Sequence, residues 1–200
     1  MSASSRTFRG SRDTDEIVAP TRRYGATPRT SALYSLIATD GRAAGAVARL
    51  TLGLIMFPHG AQKMLGWFGG YGFAGTFGFL TGKAGLPSVV AGAVIFTEFV
   101  ASLLLITGTF TRIAAFGIMS IMIGAILTSH IPNGFFMNWT GTQAGEGFEY
   151  HLLAIGLAII AIIVGGGAAS VDRLVMKRRR SIEDRAPGGG GGVVEPATLD

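Results

Sequence analysis

Four long apolar segments constrain this chain of 200 residues more than any other feature of its sequence. The segments are 43–62, 84–111, 113–129 and 150–171. Among Asp, Glu, Lys and Arg, they contain only Arg49 and Glu98. Each segment approaches or exceeds the roughly 20 apolar residues that an α-helix needs to cross a hydrocarbon core about 30 Å thick. The pattern predicts an all-α fold, a membrane four-helix bundle with spans at about 43–64, 88–109, 112–130 and 150–169.

The composition predicts one membrane domain with two polar tails. Hydrophobic residues make up 48% of the chain and charged residues 14%, and this charged share is well below the roughly 25% that is usual in soluble domains. We expect a single transmembrane domain over residues 41–172. The predicted tails are a flexible basic segment over 1–40 and a segment over 173–200 that is first basic and then rich in glycine.

The distribution of positive charge predicts the orientation of the bundle. Of the 17 Lys and Arg residues, eight lie at or before Arg49 and six follow the last span. Only Lys63 and Lys83 fall between the first two spans, and the loop over 130–150 contains neither residue type. By the positive-inside rule, both termini are expected in the cytoplasm, and the first and third connections on the opposite side of a multi-pass membrane protein.

The sequence argues against several classes of function. The positive charges follow the pattern of a membrane anchor, so we expect the lipid bilayer and not nucleic acid as the partner. The chain has no cysteine, which excludes a disulfide or a thiolate metal site of its own. It has no haem-binding motif and no glycine-rich nucleotide fingerprint, so no haem, flavin or nucleotide site is expected in this chain.

Three charged residues of the first two spans need an explanation, since charge is costly in a hydrocarbon core. Arg49 and Lys63 lie near opposite ends of the first span, where both could extend to lipid headgroups. Glu98 lies near the middle of the second span, where an unpaired acid costs about 2.5–3.5 kcal/mol. We expect Glu98 to be protonated, to pair with Arg49 or Lys63, or to face a polar gap. Its predicted role is proton transfer, binding of a polar ligand group, or a bond between helices.

A second group of polar residues gathers at the predicted outer ends of the spans. The group contains His59, Lys63, His130, Glu149, Tyr150 and His151. The spacing of the histidines matches no metal motif, so no metal site is predicted. A quinone headgroup fits better, because its carbonyl oxygens need hydrogen-bond donors above apolar walls. Candidate walls are Phe57, Trp67, Phe135, Phe136 and Trp139, which could equally form an interfacial aromatic belt.

Glycine, with 31 residues, is the most frequent small residue that could control helix packing. Gly41 and Gly45 form a small-xxx-small pair, and Gly117 and Gly124 share one helix face. Such surfaces predict a compact bundle with little internal cavity. They could equally pack against partner subunits or against another copy of the chain.

The ordered motifs resemble the DoxX family of bacterial integral membrane proteins. The first-span segment Arg49–Met64 contains Pro58-His59-Gly60-Ala61-Gln62-Lys63, the second span supplies Glu98, and Gly147-Phe148-Glu149-Tyr150-His151 resembles the end of the family domain. The resemblance covers about residues 43 to 166. It implies a four-helix protein of the inner membrane that is linked to redox chemistry.

Three hypotheses of function follow from the residues and the resemblance together. The first is a small subunit of a membrane redox complex, of the thiosulfate–quinone or oxidative-stress type, in which His59, Lys63, Glu149, Tyr150 and His151 bind a quinone and Glu98 handles a proton. The second is a scaffold subunit without chemistry of its own. The third is a small proton-coupled transporter. The first hypothesis requires redox protein subunits as partners.

Overall fold

The structure is a computed structural model that describes residues 43–183, and the predicted tail over 1–40 lies outside this range. Within the described residues the fold is helical, without strands. The helices are α1 (Ala43–Leu65), α2 (Gly72–Gly82), α3 (Ser88–Thr107), α4 (Thr111–Ala125), α5 (Glu149–Val164) and α6 (Val171–Glu183). A π-helical turn (Ile126–His130) and a 3-10 turn (Ile131–Asn133) continue α4.

Four of these helices pack as a ring. Helix α1 packs against α3 on one side and α5 on the other, and α4 closes the ring by packing against the same two helices. The core consists mainly of alanine with a few larger side chains, among them Leu52, Met56, Leu105 and Ile118. These four helices correspond to the predicted spans.

Backbone conformation explains where two of these helices end. Gly108 adopts a left-handed conformation with φ 70° and caps the C-terminus of α3. This is a common role of glycine at the end of a helix. Phe110 is also left-handed, with φ 47°, directly before α4. The turn between α3 and α4 is therefore only three residues long (108–110).

Two of the helices are long and apolar enough to cross a membrane. They extend over Ser88–Thr107 and Thr111–Asn133, and the shorter helix Glu149–Val164 is also apolar. Only 33% and 22% of the most apolar parts of the two long helices are buried inside the protein, whereas a core helix of a soluble protein would be mostly buried. Large apolar side chains such as Phe96 and Phe116 are exposed instead. These outward apolar surfaces indicate a membrane protein, and the four-span topology stays a prediction.

Glycine brings α1 and α3 into close contact. A Cβ atom added at Gly60 would lie 2.7 Å from Cα of Phe99, and one at Gly53 would lie 3.0 Å from the backbone nitrogen of Ile106. Since backbone atoms cannot move aside cheaply, position 60 requires glycine, whereas a methyl group at Gly53 would be a tight fit. The packing role of this pair was not predicted from the sequence.

The glycines that were predicted from the sequence to serve helix packing differ in their surroundings. Gly45 packs against Val164 at the end of α5, and Gly117 packs against Thr97 of α3. A Cβ atom at Gly124 would meet no other atom within 4 Å. Gly41 lies outside the described residues.

Arg49 does not extend to the bilayer surface, so that expectation is wrong. Its side chain is 1% exposed and donates hydrogen bonds to five carbonyl oxygens. The acceptors are Gly166 (2.6 Å), Leu105 (2.9 Å), Ile106 (2.8 Å), Ala168 (3.2 Å) and Ala169 (2.7 Å). The planar guanidinium can satisfy this many acceptors because it carries five N–H donors in a fork. Arg49 therefore joins α1 to the end of α3 and to the segment that follows α5.

Candidate functional site

A cavity of about 760 Å³ lies between α3 and α4 and reaches α1 and α5. Its walls are mainly apolar, with Val90 and Val94 from α3 and Phe116 and Ile121 from α4. A volume of this size is typical of sites for small organic ligands. Val90 and Phe116 are 44% and 60% exposed, so the cavity is open toward the outside of the bundle, and the expectation of little internal cavity stays a prediction. Small residues on α4 leave space that larger side chains would have filled.

An ion pair between α1 and α3 forms one part of the wall. The Lys63 Nζ atom donates to both carboxylate oxygens of Glu98, at 2.7 Å from Oε1 and 2.5 Å from Oε2. Glu98 is completely buried, while 35% of the Lys63 side chain is exposed. Of the two cations expected as partners of Glu98, the structure selects Lys63. Because Gly60 allows α1 to lie directly against the backbone at Glu98 and Phe99, the Lys63 side chain can reach the acid.

Three histidines and a tyrosine line the same cavity. The rings of His130 and His151 lie 4.1 Å apart, and those of His59 and Tyr150 lie 6.3 Å apart, measured between centroids. The Nδ1 atom of His130 lies 2.8 Å from the carbonyl oxygen of Glu146. A carbonyl oxygen can only accept, so this nitrogen must carry a proton.

His151 has an unsatisfied nitrogen in this wall. The residue is 8% exposed, and its Nδ1 atom is buried without a hydrogen-bond partner. An unpaired buried polar atom costs about 1–3 kcal/mol, so such atoms are rare in native structures. A ligand in the cavity with a hydrogen-bonding group could satisfy it.

The cavity brings together five of the six site residues that the sequence analysis named. His59, Lys63, Glu98, Tyr150 and His151 line it, although they come from three helices. Glu149 does not line it; its Oε2 atom accepts a hydrogen bond from the backbone nitrogen of Met137 at 3.2 Å. Glu149 thus fixes the loop before α5. The roles assigned to these residues stay predictions.

The predicted aromatic walls lie elsewhere. The ring of Phe57 packs against the rings of Trp67 and Phe99, and Phe135 packs against Phe136 and Phe148. Trp139 is 85% exposed. None of the five predicted aromatic residues lines the cavity. An interfacial position would suit Trp139, because its ring has apolar surface and one polar N–H group.

Sequence reasoning missed the part of the wall that α4 supplies. Gly117, Ser120, Gly124 and Ala125 line the cavity, together with Met137 and Glu146 of the following loop. The first four are small residues on one side of α4, and their spacing was a usable signal. That signal was interpreted as helix packing, since small residues serve packing and open space equally well.

The described residues offer no preformed metal centre. Within 43–183 there is no group of three or more His, Cys, Asp or Glu side chains arranged to hold a metal ion. The wall provides donors on Lys63, on the histidines and on Tyr150, together with a buried carboxylate. This arrangement suits a largely apolar organic molecule that carries hydrogen-bond acceptors.

Comparison with known proteins supports the family assignment. No curated protein and no solved structure shows a significant match to this chain. The family model of DoxX matches residues 44–131, which include α1 with Lys63, α3 with Glu98 and α4 with its small residues. The match ends before α5, so Tyr150 and His151 lie outside it. The resemblance to DoxX is thus confirmed over residues 44–131. Its continuation to about residue 166, with the motif from Gly147 to His151, stays a prediction.

Proposed function

We propose that this protein is a quinone-binding subunit of a membrane redox complex, with its DoxX domain in the bacterial inner membrane and both termini in the cytoplasm. The observation that supports the proposal most strongly is the combination of a cavity of about 760 Å³ with mainly apolar walls and, in its wall, an ion pair between the partly exposed Lys63 and the buried Glu98. Membrane quinones have the matching chemistry, with a polar ring and a long apolar tail.

The wall residues suit the two ends of such a molecule. Lys63 is an ammonium donor with three N–H groups, of which the Glu98 carboxylate oxygens accept two. The free Nδ1 atom of His151 could donate to or accept from a ring oxygen, depending on which nitrogen carries the proton. The valines of α3 and the small residues of α4 would contact the tail.

In this proposal the protein's residues bind the ring and supply a proton, while a partner subunit supplies the electrons. Reduction of a quinone to a quinol takes two electrons, which the partner subunit supplies, and two protons, one delivered by way of Glu98 and Lys63 and one taken from water. Glu98 and Lys63 share a short, charge-assisted hydrogen bond beside the cavity. Glu98 is fully buried, so a proton that reaches its carboxylate passes through the cavity wall or through Lys63.

The test is direct binding of a photoreactive benzoquinone analogue to the purified protein in lipid nanodiscs. Cross-links on cavity residues of α3, α4 or α5, identified by mass spectrometry, are expected. Gly124→Leu should abolish them, because Gly124 borders open space in the cavity wall. Gly156→Leu is the matched control, since Gly156 also has open space around it but lies on α5 outside the cavity wall.

The outcome separates the three hypotheses of function. Labelling that is lost in Gly124→Leu and kept in Gly156→Leu supports the quinone site. Equal labelling of both variants, or labelling only at outward-facing residues, overturns it. A scaffold role would then require a co-purifying enzyme, and a transporter would require substrate flux in proteoliposomes that Glu98→Gln abolishes.

A further inference from the structure

Helix α6 (Val171–Glu183) carries three different faces around its axis. Asp172 and Met176 are buried against the bundle. Four apolar residues are exposed on a second side, namely Val171, Leu174, Val175 and Ile182. A third side carries the cations Arg173, Lys177 and Arg180, which follow the three- and four-residue spacing of one helix face. This basic segment was predicted from the sequence to be part of a tail, without a helix.

The first turn of α6 is held firmly against one end of the bundle. The Asp172 carboxylate accepts hydrogen bonds from the backbone nitrogens of Phe110 (2.8 Å) and Thr111 (3.0 Å). The backbone nitrogen of Asp172 donates to the Gly108 carbonyl oxygen at 3.0 Å. These three bonds connect α6 to the turn between α3 and α4. The helix therefore starts at the level where the long apolar helices end.

The described residues leave the apolar side of α6 uncovered. Ile182 is 69% exposed and Leu174 52%. They cannot fold back on the bundle, because Asp172 and Met176 already occupy the side that faces it. Arg178 lies within the apolar side, where its aliphatic stem can cover apolar surface while its charge reaches outward.

We infer that α6 is an interfacial helix that binds anionic lipid headgroups at the membrane surface. Its apolar side enters the boundary between headgroups and acyl chains, and its cations contact phosphate groups. Charge complementarity favours this partner, because Lys177, Arg178, Arg179 and Arg180 are consecutive and all exposed. Each Lys or Arg near an anionic surface strengthens binding roughly fivefold. Such a helix would also place the N-terminus of α4, at Thr111, at the membrane surface.

The absence of cysteine allows a site-specific test in the full-length protein. Ile182→Cys and Val175→Cys would each carry one nitroxide spin label, in nanodiscs of phosphatidylcholine or of an equal mixture with phosphatidylglycerol. Both labels should be accessible to oxygen dissolved in lipid and shielded from a water-soluble nickel reagent, more strongly in the anionic mixture. Leu153→Cys on the outside of α5 provides the lipid reference, and Thr142→Cys in the loop before α5 the water reference.

The charge variant Lys177→Gln/Arg180→Gln tests the headgroup contact separately. Together with Ile182→Cys, it should reduce the preference for the anionic mixture by roughly fivefold for each removed charge. Labels at positions 175 and 182 that stay in water in both mixtures would overturn the inference. Dipolar broadening between labels would assign this side to a second copy of the chain and would overturn it as well. Neither outcome depends on whether the cavity binds a quinone.

Discussion

The Lys63 ammonium contacts both carboxylate oxygens of Glu98, at 2.7 and 2.5 Å, across the packed surfaces of α1 and α3. The two partners differ in their surroundings, because Glu98 is completely buried and 35% of the Lys63 side chain is exposed to the cavity. Removal of Lys63 would therefore leave a buried charge without compensation. Removal of Glu98 would leave a cation that can still reach polar surroundings.

The first prediction concerns this asymmetry. Lys63→Met should lower the free energy of unfolding by about 2–4 kcal/mol, because it leaves the Glu98 carboxylate buried and unpaired. The double variant Lys63→Met/Glu98→Leu should recover much of this loss, since neither charge then remains. SDS titration of the purified protein in mixed micelles would measure the free energy of unfolding of the single and the double variant. If the effects of Lys63→Met and of Glu98→Leu, each measured alone, simply add up in the double variant, the coupling between the two residues is contradicted.

The second prediction concerns the glycine that lets α1 approach α3. Gly60→Ala places a methyl group 2.7 Å from Cα of Phe99, so the helices must separate at the cost of about 1–3 kcal/mol. In Gly156→Ala the methyl group meets open space, and the higher helix propensity of alanine should stabilise the protein by up to about 1 kcal/mol. Thermal unfolding in detergent compares the two. Equal melting temperatures would show that α1 and α3 are less tightly packed than the structure indicates.

The third prediction separates ligand binding from structure at His151. His151→Leu removes the unpaired Nδ1 atom, so the ligand-free protein should keep its stability or gain up to about 1–2 kcal/mol. Affinity for the benzoquinone analogue should fall about tenfold, equivalent to 1.4 kcal/mol. Titration in nanodiscs measures the affinity, and SDS titration measures the stability. A destabilised variant with unchanged affinity would make His151 a structural residue only.

The fourth prediction concerns Arg49. Arg49→Lys keeps the charge but replaces a five-donor fork with one nitrogen, which cannot reach five carbonyl oxygens in different directions. We expect a loss of about 2–4 kcal/mol in the free energy of unfolding. Arg112→Lys is the control, because the Arg112 guanidinium makes one long bond, 3.3 Å, to the Ile163 carbonyl oxygen. Similar losses in both variants would refute a special role of Arg49.

The sequence was sufficient for the helical class, the approximate bounds of the four long helices and the resemblance to DoxX over residues 44–131. Hydropathy and periodic packing of small residues are local properties, so they can be read along the chain. They also predicted that Glu98 needs a partner, since an isolated buried acid is costly wherever it occurs. Even the set His59, Lys63, Tyr150 and His151 could be proposed, because all four lie near helix ends that the topology brings together.

Only the tertiary structure decided between interpretations that are equal in sequence terms. Arg49 and Lys63 are both cations, each near one end of α1. Arg49 nevertheless binds carbonyl oxygens, and Lys63 binds Glu98. Gly60 and Gly124 are both helical glycines, yet one meets the backbone of α3 and the other meets open space. The partner of a side chain depends on which helices are neighbours and how closely they approach, and these distances arise from the packing of residues that are far apart in the chain.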